Sequence, residues 1–400
     1  MNKAKLKICL VAPGYPPQDG GGIGTYSYNL ALGLTKLGHR VYVVSQSDKE
    51  DAAENLNGVE VRRFKYRHVP KLEKLFPGLR WSFFIANQIE ELDKKVHFDV
   101  IEFPNWEGVG FAYLLKKKRR PVVTRMHTPY FETLNIDTNN GRINLGDRFI
   151  CWLEKKACHM SDQLVSSTLS HRDMMITSYF LGNKEVNIIP LGIQLVPRPD
   201  DRSKSKGNGK IKVLYVSRLE KRKGAITLVG AIPHVLQKFQ NVEFTFIGKD
   251  RPHAPGGLTF ENYFSTAHNQ FKDKVKFLGF VSNEELSNYY RACDIFVVPS
   301  VYESFGLIYV EAMMHGKPVI GCKAGGIPEV VNNGKTGILI EPYNVNQLVD
   351  GLLRLLNDPQ MRQDMGQNAR RLCEEKFSFD RMASNTEHLY QKMKVSGNGR

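Results

Sequence analysis

Two carboxylates eight residues apart are the first sign of chemistry in this chain. Glu303 and Glu311 stand in Val301-Tyr302-Glu303-Ser304-Phe305-Gly306-Leu307-Ile308-Tyr309-Val310-Glu311-Ala312-Met313, which follows a β-branched run and turns apolar and helix-forming. The pattern predicts a strand, a loop and a helix. Glu303 then falls at the carboxyl end of a parallel strand, where open α/β sheets hold ligands, and the amides of Phe305, Gly306 and Leu307 form a helix start facing a diphosphate. Helical side chains lean toward the N-terminus, so Glu311 can accept hydrogen bonds from the two hydroxyls of a ribose. The competing readings are a helix-start acid for Glu303 and a solvated face for Glu311. The second is weak, because Val310, Ala312 and Met313 enclose Glu311.

Other clusters could serve an anionic ligand. In Lys323-Ala324-Gly325-Gly326-Ile327-Pro328-Glu329, Gly325 and Gly326 allow close backbone approach and Pro328 suits a first helical turn, against a plain strand-to-helix turn. In Ser217-Arg218-Leu219-Glu220-Lys221-Arg222-Lys223-Gly224, Arg218 and Lys223 could converge on phosphates, while Lys221 and Arg222 read as solvated surface. Gly20-Gly21-Gly22-Ile23-Gly24 opens a helix after the first strand, but Thr25 stands where a dinucleotide fingerprint needs glycine, and no acid ends the strand Val41–Ser45. A nicotinamide enzyme is disfavoured. Gly334-Lys335-Thr336 reads as a turn, since Glu329 occupies the first glycine position of a P-loop. The chain has no H-E-x-x-H and no D-x-D, so no metal and no cofactor is expected, and phosphate chemistry falls to protein cations and amides. His127 ends a strand, where a lone histidine is more often structural.

Such loops need a parallel sheet beneath them. The 400 residues, 42% hydrophobic and 24% charged, have a globular composition and exceed the ~250–300 residues at which one core stops growing, so two domains are expected. Strand-like runs at Lys7–Pro13, Arg40–Ser45, Val59–Phe64, Asp99–Pro104, Pro121–His127, Gln163–Thr168 and Val186–Pro190 alternate with helical stretches. A second series runs through Ile211–Ser217, Val242–Gly248, Val275–Val281, Ile295–Pro299, Pro318–Gly321 and Ile338–Ile340. Residues 197–210 lack any large apolar side chain and read as a linker. The expected plan is two doubly wound Rossmann-like α/β domains, 1–196 and 211–378, then a closing helix, 379–393, and a frayed tail, 394–400. The six cysteines, at 9, 151, 158, 293, 322 and 373, sit singly in apolar contexts and read as reduced core residues. No stretch is long and apolar enough to span a bilayer and no signal peptide is evident, so a cytoplasmic protein is expected.

The ordered set of motifs resembles the retaining nucleotide-sugar glycosyltransferases of family 4, which have the GT-B fold of two Rossmann-like domains facing a central cleft. The resemblance runs through GGGIGTYSYNLALGLTKLGHRVYVVS, TRMHTPY, SRLEKRKG, FLGFVS, the glutamate pair within YESFGLIYVEAMMHGKPVI, AGGIPEVV and FSFDRMASNTEHLYQKM. It implies that the second domain binds a nucleoside-diphosphate sugar, that Arg218 and Lys223 stabilise the departing diphosphate, that Glu303 faces the sugar and that Glu311 holds the ribose. It also implies that His127 contacts the sugar, that Gly21 and Gly22 approach the donor phosphates or the acceptor, that Gly279, Phe280 and Val281 lie near the nucleobase, and that the closing helix crosses back to the first domain. At Leu191, Gln194 and Lys323 the chain departs from residues common in the family.

The net charge of +15 implies anionic partners. Residues 62–81 carry Arg62, Arg63, Lys65, Arg67, Lys71, Lys74 and Arg80 against one acid, Glu73, with Leu72, Leu75, Phe76, Leu79 and Trp81, so this segment could rest on an anionic membrane and bring in a lipid-linked or glycan acceptor, with a solvated loop as the alternative. That would place the protein at the inner face of the membrane. A nucleotide-sugar 2-epimerase is the rival within the fold. A nucleic-acid-binding protein is the rival outside it, disfavoured because no recognition module or aromatic–basic interleaving is present.

Overall fold

The computed structural model describes residues 4–18, 21–67, 73, 76–137, 144–197 and 209–397. They form two compact units, one of Met1–Gln194 with Phe377–Arg400 and one of Leu195–Lys376. Most of the expected linker, the end of the expected tail, and Leu72, Leu75, Lys71 and Lys74 lie outside the described residues.

The first unit is built on an eight-stranded sheet: β1 (Lys7–Ala12), β2 (Arg40–Ser47), β3 (Ala52–Leu56), β4 (Val59–Lys65), β5 (Val100–Pro104), β6 (Val122–Arg125), β7 (Gln163–Ser166) and β8 (Val186–Ile188). Its order is β3-β4-β2-β1-β5-β6-β7-β8. All neighbours pair in parallel except β3, which runs antiparallel along β4. Buried runs such as Ile8–Ala12 and Val41–Val44 follow from sandwiching between helices, which leaves no wet face. The chain winds outward from β1 through β2 to β4 and then returns to β5 on the other side of β1, so the switch point lies between β1 and β5.

The last helix, Phe379–Gly397, belongs to this unit. It lies so close to the helix Gly21–Lys36 that a Cβ on Gly33 would stand 2.6 Å from Ala383 Cβ. Lys36 Nζ reaches Asp380 at 2.8 Å, and the Tyr390 hydroxyl donates to Glu102 Oε2 at 2.8 Å. Glu102 also accepts from the Tyr26 hydroxyl at 2.5 Å, and Arg125 Nε donates to that hydroxyl at 2.8 Å. This buried chain of polar groups ties β5, β6 and both helices together.

The second unit carries a six-stranded, all-parallel sheet of order β11-β10-β9-β12-β13-β14. Its strands are β9 (Ile211–Val216), β10 (Val242–Ile247), β11 (Val275–Phe277), β12 (Ile295–Val297), β13 (Val319–Cys322) and β14 (Gly337–Ile340). The expected strand to Val281 stops at Phe277, because Gly279 turns the chain with φ 66°. The switch point lies between β9 and β12. Six cysteines are free thiols; five are buried and Cys151 is half-buried.

The basic segment expected to rest on a membrane is partly spent inside the fold. Arg63 is buried, donating to Glu54 Oε1 at 2.5 Å and to the carbonyls of Tyr15 and Pro16. Trp81 packs in the core and Arg80 lies over the Tyr66 ring. Among the described residues no helix is long and apolar enough to cross a membrane.

Candidate active site

In the second unit the loops that leave the two switch-point strands meet. The turn after β9 holds Arg218–Gly224, and the loop after β12 holds Pro299–Gly306. Gly224, at φ 68°, lets them touch: a Cβ there would stand 2.0 Å from the Pro299 carbonyl oxygen. The contact brings Lys223 Nζ onto Glu303 Oε1, which also accepts from Ser300 Oγ at 2.9 Å. Both members of this ion pair are largely withdrawn from water. Burial alone would raise the Glu303 carboxyl, but the charges of Lys223 and Arg222 and the hydrogen bonds from Lys223 and Ser300 hold it below its ordinary value. Burial lowers the Lys223 ammonium, with Glu303 opposing.

Arg218 stands apart from this pair, more than half exposed, with Nη2 3.2 Å from Glu220 Oε1. Arg222, expected on the surface, is instead buried and shares the same Glu220 oxygen at 3.2 Å. Burying the guanidinium carries a desolvation cost, which the counter-charge of Glu220 offsets.

Gly306, at φ 93°, precedes the helix Leu307–Met314, with Phe305 buried just before it. Glu311 lies on that helix and accepts from the Tyr290 hydroxyl at 2.8 Å. Burial pushes its carboxyl up to about 7, with the Tyr290 hydrogen bond pulling the other way. After β13, Gly325 adopts φ 53° beneath the Glu303 loop, where a Cβ would stand 2.3 Å from the Glu303 carbonyl oxygen. Gly326 N–H donates to that same oxygen at 2.8 Å. The three loops after β9, β12 and β13 therefore form one bonded layer. Gly279, Phe280 and Val281 follow β11, with the Phe280 ring exposed and the Gly279 carbonyl accepting from Gly248 N–H at 2.8 Å. Among the described residues no group of three or more His, Cys, Asp or Glu side chains is placed to hold a metal.

The first unit holds the other expected residues at the carboxyl end of its own sheet. Gly21 and Gly22 begin the helix Gly21–Lys36, and a Cβ on either would meet nothing within 4 Å. His127 follows β6; its backbone N–H donates to Asn105 Oδ1 at 2.7 Å, and its ring meets Tyr26 edge-on at 5.2 Å. Burial first, then Arg125 and His171, lowers its imidazole to about 3, so the ring is neutral at pH 7. Its Nε2 is buried without a hydrogen-bond partner among the described residues. Elsewhere in the first unit a cavity of about 380 Å³ is lined by Pro13, Gln46, Tyr66, Trp81, Trp106 and Glu107, the last at a left-handed φ of 53°.

Sequence reasoning missed Ser300, Arg222 and Tyr290. Ser300 follows the strand end and could have been found by its spacing of three from Glu303; nothing in the sequence marks Tyr290, which reaches Glu311 from another helix.

Known proteins resemble this chain over most of its length. The family model for Glycosyltransferase Family 4 matches residues 20–196, and that for Glycosyl transferases group 1 matches residues 197–372. An uncharacterized glycosyltransferase of Methanocaldococcus jannaschii is 29% identical over 96% of this chain and 98% of its own. A D-inositol 3-phosphate glycosyltransferase of Pseudarthrobacter chlorophenolicus is 27% identical over 88% of this chain and 86% of its own. Among solved structures, sucrose-phosphate synthase from Thermosynechococcus elongatus aligns with a TM-score of 0.80 at 23% identity, covering 98% of this chain and all of that one. The Anabaena protein HepE, solved with UDP and glucose, aligns at 0.69 and 21% identity, covering 96% and 99%. The two units thus have the GT-B architecture, and the chain belongs to glycosyltransferase family 4. It is a glycosyltransferase.

Proposed function

We propose that the enzyme transfers a hexosyl unit from a nucleoside-diphosphate sugar, with retention and without a metal, to a glycan or lipid-linked acceptor in polysaccharide or glycolipid biosynthesis. The observation that carries this reading is the Lys223–Glu303 pair over the β9/β12 switch point, a fixed cation and a fixed carboxylate in a dry layer of loops. Lys223, with Arg218, meets the charge that builds on the leaving diphosphate, and the amides of Phe305, Gly306 and Leu307 and the turn at Gly325 and Gly326 receive its oxygens. Glu303 stabilises the cationic sugar, and Glu311 accepts from the ribose hydroxyls. The loop Gly279–Val281 offers the exposed Phe280 ring to a base. HepE has also been solved with UDP-glucose, and starch synthase IV of Arabidopsis thaliana with ADP and acarbose, which supports a donor of this class.

In this reading residues 211–378 hold the donor, residues 1–196 serve the acceptor, residues 197–210 join them and the helix over 379–393 returns to the first domain. His127, Gly21 and Gly22 act from the first domain, His127 through its neutral and unpartnered Nε2. Six free thiols suit the reducing cytoplasm. The test is a thermal-shift panel of nucleotide sugars, followed by proton NMR of the product formed from the donor that stabilises most. Retention of the donor's anomeric configuration, with activity undiminished by EDTA, is expected. An inverted product refutes the retaining mechanism, and loss in EDTA reversed by magnesium or manganese refutes metal independence.

A further inference from the structure

The helix Leu145–Met160 in the first unit exposes large apolar side chains on the side away from the core. Its inner side, Ile150, Leu153, Ala157 and Cys158 with the buried Glu154, is core. A surface helix with one buried face ordinarily turns polar residues outward. Here Leu145 is 81% exposed and Trp152, two turns on, is 44% exposed, with Phe149 half-buried between them. Phe149 and Trp152 stack at 5.7 Å, Phe76 meets Phe149 edge-on at 5.3 Å, and Phe111 leans on Trp152 at 5.5 Å. The rings therefore form one continuous row. Arg148 and Lys156 project among them, both exposed, and neither makes an ion pair among the described residues.

Aromatic and aliphatic side chains interleaved with unpaired cations on one helix match the boundary between headgroups and acyl chains, where rings enter the apolar layer and the cations remain at the phosphates. The cations select a negative surface, and the net charge of +15 points the same way. We propose that Leu145, Phe149 and Trp152, with Phe76, Arg148 and Lys156, seat the first unit on an anionic phospholipid bilayer. Of the segment 62–81, this surface takes only Phe76. The inference needs none of the donor-binding residues, so it stands or falls apart from the reaction assigned above.

Flotation of the full chain with phosphatidylcholine vesicles, and with vesicles half phosphatidylglycerol, tests it. The wild type is expected to float with the anionic vesicles alone and to release in high salt. Changing both Arg148 and Lys156 to Ser is expected to weaken partitioning about 30-fold, from ~1 kcal/mol for each cation near a charged leaflet. The double change Leu145→Ser and Trp152→Ser should weaken it by about tenfold or more; because Trp152 also packs on Phe149 and Phe111, the melting temperature is measured alongside and binding is compared only where the variant is folded. Absence of wild-type binding, or unchanged binding by both double variants, overturns the proposal. So does a wild-type dimer that the Leu145 and Trp152 variant dissociates without any vesicle binding, since the stripe would then join two copies of this chain.

Discussion

Replacing Lys223 with Met removes one member of an ion pair whose side chains are 12% and 10% exposed. Breaking a buried pair from one side costs ~3–5 kcal/mol, because the remaining charge is left without compensation. Ser300 still donates to Glu303 and Arg222 still lies near it, which puts the expected loss at the lower end, about 3 kcal/mol. The double variant Lys223→Met, Glu303→Gln should regain most of it, since no charge is then stranded. The deficit of the single variant should also depend on pH. In the wild type the Glu303 carboxyl is held low, so its stabilisation is present at neutral pH and is lost only as pH falls through that low folded-state value. In Lys223→Met the orphaned carboxyl takes up a proton more readily, so the deficit is full at pH 7 and shrinks on acidification. All three tryptophans, 81, 106 and 152, belong to the first unit, so urea unfolding must be followed in the second unit by circular dichroism or hydrogen exchange. Turnover should fall ~10²–10³-fold in the single variant, the usual effect of losing a fixed donor at a developing negative charge. If Lys223→Met matches the wild type in urea and the double variant is no more stable than the single, the pair carries no coupling and the reasoning fails.

Glu311→Gln should gain stability relative to wild type as pH rises from about 4.5 to about 7, because a carboxyl whose folded value is raised costs most once ionised; parallel denaturation curves across that range check the sign. The same change should weaken binding of free nucleoside diphosphate, and equal affinity by calorimetry would dismiss the ribose contact. Gly224→Ala places a Cβ against the Pro299 carbonyl in a left-handed backbone, which should cost ~1–3 kcal/mol or more in urea and lower turnover by parting Lys223 from Glu303. Tyr390→Phe leaves Glu102 without its Oε2 donor and should lower stability by ~1.5–3 kcal/mol, read in the melting of the first unit.

Much of the scaffold could be read from β-branched runs, since a strand buried on both faces announces itself in sequence. The run Ala52-Ala53-Glu54-Asn55-Leu56 gave no such signal, because β3 is an exposed edge whose place is set by pairing with β4 and by Glu54 reaching Arg63. Glu303, Lys223 and the glycines of the Gly306 and Gly325 turns were visible because loops after parallel strands show as short breaks between apolar runs. Arg222 was misjudged for a local reason: three basic residues in a row look solvated, and only the fold turns the middle one inward onto Glu220. Arg63 and Trp81 misled in the opposite direction, since a basic and apolar segment reads as an amphipathic surface until tertiary contacts consume its members. Tyr290 acts on a residue of another helix, 21 positions along the chain, for which local pattern holds no information.

The return of the final helix to the first unit has a consequence for biosynthesis. During translation the eight-stranded sheet leaves the ribosome long before the helix Phe379–Gly397 exists. About 180 residues separate Gln194 from Phe377, so at ~5–20 residues per second the nascent unit waits some ~10–40 seconds with the groove beside Gly33 uncovered and one oxygen of Glu102 unclaimed. The whole second unit is thus synthesised before the first can close. Truncation before Phe379 would therefore damage the half of the enzyme encoded first.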